Sequence, residues 1–82
     1  MAKAQFVKRV SKLIMNSLVD ELLQRMVISE GERESVKAVK EREGRAEAIL
    51  DMVLGKGDQI CSVMMETLED LDPYLHSSLS FT

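Results

Sequence analysis

The chain has 82 residues, 45% of them apolar and 30% charged, which is enough for one small folded domain and too apolar for a disordered segment. A formal net charge of −3 disfavours nucleic acid as a partner, and a single cysteine excludes an internal disulfide and fits a reducing compartment. No apolar run approaches the roughly 20 residues that span a bilayer, and with no Trp, one Tyr and two Phe the core has to come from aliphatic side chains and Met, as in packed helices.

Phe6, Val10, Leu13 and Ile14 fall at i, i+4, i+7 and i+8 and predict a first helix over residues 2–15. Lys8 and Lys12 point away from that stripe and Arg9 flanks it. Residues 1–19 carry four basic residues and no acid, as a mitochondrial presequence does, but they join the next helix without a cleavage-like linker. Asn16 or Ser17 is placed to cap a second helix over 17–26, with Leu18, Val19, Leu22, Leu23 and Met26 inside and Asp20, Glu21 and Gln24 outside. Val27 and Ile28 read as a buried connection. Ser29 followed by Glu32 is a capping-box pattern, opening a third helix over 30–41 with Val36 and Val39 turned inward.

Gly44 interrupts the charged run Lys40-Glu41-Arg42-Glu43. Ala46, Ile49, Leu50, Val53 and Leu54 then predict a fourth helix over 44–54, stopped by Gly55 and Gly57. Asp58 is the expected cap of a fifth helix over 58–70, whose stripe is Ile60, Met64, Leu68 and Leu71, with Cys61 and Val63 beside it. Asp72-Pro73 is a cap followed by proline at the first helical position, starting a short sixth helix over 73–79. Residues 80–82 read as a frayed tail or the start of a linker. Six helices with connections this short imply an all-α antiparallel bundle.

Little in the chain suggests chemistry. Gly55-Lys56-Gly57 lacks the spacing of a phosphate loop and follows a helix, not a strand. His76 has no companion ligands for a metal, and Ser77 and Ser78 have no positioned acid to make a hydrolytic triad. Cys61 has no base near it in sequence and reads as core. Met26 and Met64 are expected in the core and Met65 at the surface. A DNA-binding bundle needs a basic recognition helix, whereas Lys37, Lys40 and Arg42 are interleaved with Glu41 and Glu43.

The segments Leu18–Gln24, Val36-Lys37, Ala48–Asp51 with Val53, Lys56-Gly57, and Asp70 through Tyr74-Leu75 into Leu79 occur in the order and spacing of a caspase recruitment domain, or CARD. The resemblance covers roughly residues 5–79 and is strongest to the CARDs of inflammatory caspases and related CARD-only proteins. The Arg-x-Asp-Leu signature of death-effector domains is missing, since Leu71 follows Leu68-Glu69-Asp70. The resemblance implies a death fold, a six-helix Greek-key bundle whose first helix can bend, with the domain spanning residues 1–79. It also implies a non-catalytic, cytoplasmic module without cofactor or metal that binds other CARDs of caspases, adaptors or sensors. Homo-oligomers or filaments in inflammasome or apoptotic signalling are the expected form, a CARD-only decoy inhibitor is the alternative, and neither nucleic acid nor membrane is an expected partner. Two features depart from the family pattern: Met15-Asn16-Ser17 replaces a longer, glycine-containing link between the first two helices, and Glu47 stands where a basic residue is common.

Charge is unevenly distributed. Residues 1–19 sum to +4 and residues 20–34 to −3. Any one such run is ordinarily a solvated helix face; in a CARD-like body, the two faces are expected to dock between molecules. The basic side is expected to comprise Lys8, Arg9 and Lys12, with Arg45 from the fourth helix. The acidic side is expected to comprise Asp20, Glu21, Glu30, Glu32 and Glu34, with Asp20 and Glu21 free to meet a basic neighbour.

Overall fold

The structure, a computed structural model, describes residues 3–79 as six helices: α1 (Lys3–Arg9), α2 (Lys12–Gln24), α3 (Glu30–Ala38), α4 (Arg42–Lys56), α5 (Asp58–Leu71) and α6 (Pro73–Leu79). The start of the first helix at residue 2 and the tail at 80–82 lie outside the described residues. There is no strand among the described residues, and the architecture is an all-α bundle of six helices, as the resemblance implies. Helix α5 packs on α2, α4 and α6, α1 lies against α4 and α6, and α3 closes over α2 and α4. The Cα radius of gyration is 11.4 Å, against about 11.7 Å for a closely packed chain of this length, so the helices share one core.

That core is the stripe residues brought together: Phe6, Val10, Met15, Leu18, Val19, Leu22, Ile28, Val36, Ala46, Ile49, Leu50, Val53, Met64, Leu68, Leu75 and Leu79 are all buried. Buried polar groups are satisfied among the described residues, and the buried Thr67 hydroxyl donates to the Val63 carbonyl at 2.8 Å. Cys61 is half-buried beside this core, its Sγ 3.7 Å from the Val53 carbonyl.

The largest departure from the sequence reading is the first break. A helix was expected to run over 2–15, but the chain turns at Val10-Ser11 instead. Ser11 is extended, and its hydroxyl accepts the Ile14 amide at 3.1 Å as the cap of α2. The buried set therefore changes from Phe6-Val10-Leu13-Ile14 to Phe6 on α1, Val10 in the link and Met15-Leu18-Val19-Leu22 on α2. Leu13 is left 74% exposed and Asn16 and Ser17 lie inside α2, so what looked like a tight link is helix. The expected bend in the first helix is thus a full break.

Helix α2 ends in a Schellman motif. The Met26 amide donates to the Leu23 carbonyl at 3.0 Å and the Val27 amide to the Leu22 carbonyl at 3.1 Å. This geometry puts Met26 at φ 63°, with its side chain 91% exposed and out of the core where it was expected. Met65, expected at the surface, is half-buried against the core. Helix α3 stops at Ala38, three residues early, and α4 starts at Arg42 with Gly44 inside its first turns. A Cβ on Gly44 would stand 3.1 Å from Val39 Cγ1, so glycine there serves the close approach of the α3–α4 link.

The caps of α3 and α6 appear where the sequence placed them. Ser29 and Glu32 form the reciprocal capping box, with the Glu32 amide donating to Ser29 Oγ at 3.1 Å and the Ser29 amide to Glu32 Oε1 at 2.9 Å. The Leu75 amide donates to Asp72 Oδ1 at 3.0 Å at the start of α6. Helix α4 runs through Gly55 to Lys56, past the expected stop; Gly57, at φ 102°, ends it and takes the capping position of α5 in place of the expected Asp58, which becomes the first residue of α5.

Candidate interaction surface

The basic residues at the first break form a corner. Lys8 and Arg9 close α1, Val10-Ser11 is the link, and Lys12 opens α2, so the basic surface belongs to two helices instead of one. All three cations are exposed and none is in an ion pair with a described residue. Beside the corner a shallow groove is lined by Arg9, Asp72, Tyr74, Leu75 and Ser78, with the Tyr74 ring 89% exposed. On its other side, α1 and α4 border a groove of about 550 Å³ whose walls mix Lys3 and Lys8 with Glu43 and Glu47. Lys3 also pairs with Asp51 on α4 at 2.9 Å. Helix α4 therefore adds acid, not base, to this side.

Arg45 does not join the corner. Its Nε donates to the Val39 carbonyl at 2.9 Å, one Nη to the Lys37 carbonyl at 3.0 Å and the other to Asn16 Oδ1 at 3.0 Å. The Lys37 and Val39 carbonyls lie at the end of α3, where no intrahelical amide reaches them, and a cation there also faces the negative end of the helix dipole, while Asn16 ties the guanidinium to α2. Arg42, one turn earlier on α4, donates from Nη1 to the Val7 and Val10 carbonyls at 2.6 and 2.9 Å, doing for α1 what Arg45 does for α3. The expected role of Arg45 on the basic face is corrected on this ground: each of its three guanidinium nitrogens donates inside the fold, and the side chain is half-buried away from the corner. The sequence did hold a signal. Two arginines three residues apart in the first turns of a helix oppose that helix's own dipole, so they need acceptors elsewhere.

The acidic residues divide in the same way. Asp20, expected to be free, accepts from Arg33 Nε at 2.7 Å and Lys37 Nζ at 3.2 Å, tying α2 to α3. The hydrogen bond from Arg33 leads in holding its carboxyl below the ordinary value of 3.8, against a smaller opposing effect of desolvation. Glu32 accepts the Ser29 amide and pairs with Lys56 at 2.9 Å, and that backbone hydrogen bond leads in keeping it below 4.5. Glu21 lies 3.9 Å from Arg25, which also reaches Asp70 at 3.7 Å. Glu30 and Glu34 on α3 are exposed and have no ion-pair partner among the described residues. Of the five acids expected on this face, these two are uncommitted.

The described residues form a helical bundle that carries an exposed basic corner at the α1–α2 junction and exposed acids on α3. The chain matches the caspase recruitment domain family over residues 2–81 and belongs to it. Human caspase recruitment domain-containing protein 8 is 37% identical over 65 residues, covering 79% of this chain and 12% of that protein. Horse caspase-1 is 33% identical over 75 residues, covering 90% of this chain and 18% of that protein. Human putative caspase recruitment domain-containing protein 17P is 31% identical over 81 residues, covering 98% of this chain and 74% of that protein. The chain spans between 8% and 18% of the length of the first three relatives it matches. No solved structure matches it significantly. The family is one of non-catalytic homotypic interaction modules related to those of caspases and inflammasome proteins. No helix of the described residues is long and apolar enough to cross a membrane.

Proposed function

We propose that this domain associates with other CARDs in the cytoplasm, copy to copy or with the CARD of a caspase, adaptor or sensor, and so assembles inflammasome or apoptotic complexes that recruit an inflammatory caspase. The observation that carries this reading is the corner of Lys8, Arg9 and Lys12, three exposed cations with no ion-pair partner among the described residues. Their complement is an acidic surface centred on Glu30 and Glu34, with Glu21, Glu32 and Asp20 contributing what their internal contacts leave over. Because the two surfaces are different patches of one body, their contact is heterologous, and a heterologous contact that does not close grows as a helix. Each exposed pair contributes about 0–1 kcal/mol, so several must act together, and the association weakens with salt. Assembly raises the local concentration of any domain fused to this one.

The test is a pair of charge reversals that leave the fold's own contacts alone: Arg9→Glu with Lys12→Glu, and Glu30→Lys with Glu34→Lys. Each double variant alone should fail to assemble in light scattering at low salt, and a mixture of the two should recover association. Assembly that persists in both variants would sink this choice of faces. Asp20→Arg is a poorer probe, because it would set three cations together between α2 and α3.

A further inference from the structure

We propose that Ser11 is a phosphorylation site for a kinase with an acidic substrate cleft, and that the modification switches off the basic corner; the second half rests on the function proposed above. Lys8-Arg9-Val10-Ser11 places basic residues three and two positions before a hydroxyl. An acidic cleft reads this pattern of positive charge ahead of the acceptor. Ser11 is alone in this among the described serines and threonines. Ser35 comes nearest, with Arg33 two positions before it, but Glu32 occupies the position before that and Arg33 is held by Asp20.

Ser11 is exposed, in extended backbone (φ −83°, ψ 160°) and in a two-residue link, and its oxygen only accepts, from the Ile14 amide. Val10, between the basic pair and the acceptor, is buried, so a kinase engages the segment when the last turn of α1 opens. Seven residues are far fewer than a helix needs to persist without its tertiary contacts, which makes that opening local. In the transfer, Ser11 Oγ attacks the γ-phosphorus of a nucleoside triphosphate and forms the new P–O bond. The bond to the bridging oxygen breaks, the diphosphate leaves, and the hydroxyl proton passes to the kinase's base.

The consequence follows from charge. A phosphoserine carries about −1.5 to −2 at neutral pH and would stand between Arg9 and Lys12, cancelling about half to two thirds of the corner's three positive charges. The fold is not harmed by it, since the phosphate remains an acceptor for the first-turn amides of α2. The modification therefore separates assembly from folding.

The experiment treats the purified chain with the catalytic subunit of cyclic-AMP-dependent kinase and MgATP and maps phosphate by mass spectrometry. One phosphate on Ser11 is expected, with none at that position in Ser11→Asn, which keeps a good cap, and at least about tenfold slower transfer in Lys8→Ala with Arg9→Ala. The phosphorylated chain should melt about 2–6 °C higher while associating at least about tenfold more weakly at low salt. Ser11→Asp should shift both in the same directions, by less. Phosphate elsewhere, or transfer indifferent to Lys8 and Arg9, overturns the acceptor assignment. Unchanged association after modification overturns the switch. An unmodified chain that never associates in a salt-sensitive way overturns the face reading and with it the switch, and the mass map still decides Ser11.

Discussion

The corner between α1 and α2 and the first turns of α4 both present cations at helix ends, and they use them in opposite ways. Arg42 and Arg45 aim their donors at the terminal carbonyls of α1 and α3 and are consumed by the fold. Lys8 and Arg9 end their own helix, and Lys12 starts the next; all three point into solvent. What separates the two groups is the supply of unsatisfied backbone acceptors within reach. A cation near orphan carbonyls becomes structure, and one that faces only water remains available to a partner. The acids follow the same rule, with Asp20 and Glu32 drawn into α3 and Glu30 and Glu34 left outside.

The sharpest way to break this contrast is Arg45→Met, which keeps the aliphatic stem and removes three hydrogen bonds. Two carbonyls and the Asn16 side chain then lose a charged donor, for a cost of about 2–4 kcal/mol. A domain of this length has about 4–12 kcal/mol in total, so urea denaturation should show a large fall in midpoint. A midpoint within error of wild type would place Arg45 back among the surface cations.

Smaller effects probe the junctions on either side of α3. Met26→Gly replaces an exposed side chain held at φ 63° by the residue best suited to that position, and should stabilise by about 0.5–1 kcal/mol. Asp20→Asn leaves the α2–α3 tie with a neutral acceptor; because the carboxylate is half exposed, the loss should be about 0.5–1 kcal/mol. The pH dependence has a definite sign. Asp20 and Glu32 titrate below their ordinary values of 3.8 and 4.5, so their contribution is complete above those values and is lost as the pH falls through the lower folded-state ones. The melting temperature should hold steady down to about pH 5 and then fall, and Glu32→Gln should make that acid limb shallower.

Legibility in the sequence tracks how local each cause is. The Ser29–Glu32 box, the Asp72-Pro73 start and the Gly57 stop depend on a few neighbouring residues, and each could be read in advance. The first break could not, because Phe6, Val10, Leu13 and Ile14 satisfy a helical period straight through it, whereas the competing stripe from Met15 to Leu22 belongs to a helix that packs on α4 and α5, far along the chain. The tasks of Arg42 and Arg45 depend on carbonyls that tertiary packing delivers, from residues as much as 35 positions away. Asp20 looked free for the same reason: its partners are on the next helix, in a register that α2 alone does not set.

The smallest expected effect on stability is at the corner, and there the contrast becomes a statement about function. Arg9→Glu with Lys12→Glu removes no hydrogen bond and no ion pair among the described residues, and neither side chain belongs to the core. The helix dipoles push in opposite directions: a cation at the end of α1 is favourable and is lost, whereas an acid at the start of α2 is favourable and is gained. The two nearly cancel, so the melting temperature should stay where it is while assembly disappears. A marked loss of stability would mean that these side chains serve the fold after all, as the arginines of α4 do, and the distinction between the two groups of cations would collapse. A chain that melts like wild type yet no longer associates ties the loss to the exposed charges themselves, because no hydrogen bond, ion pair or core contact among the described residues depends on them.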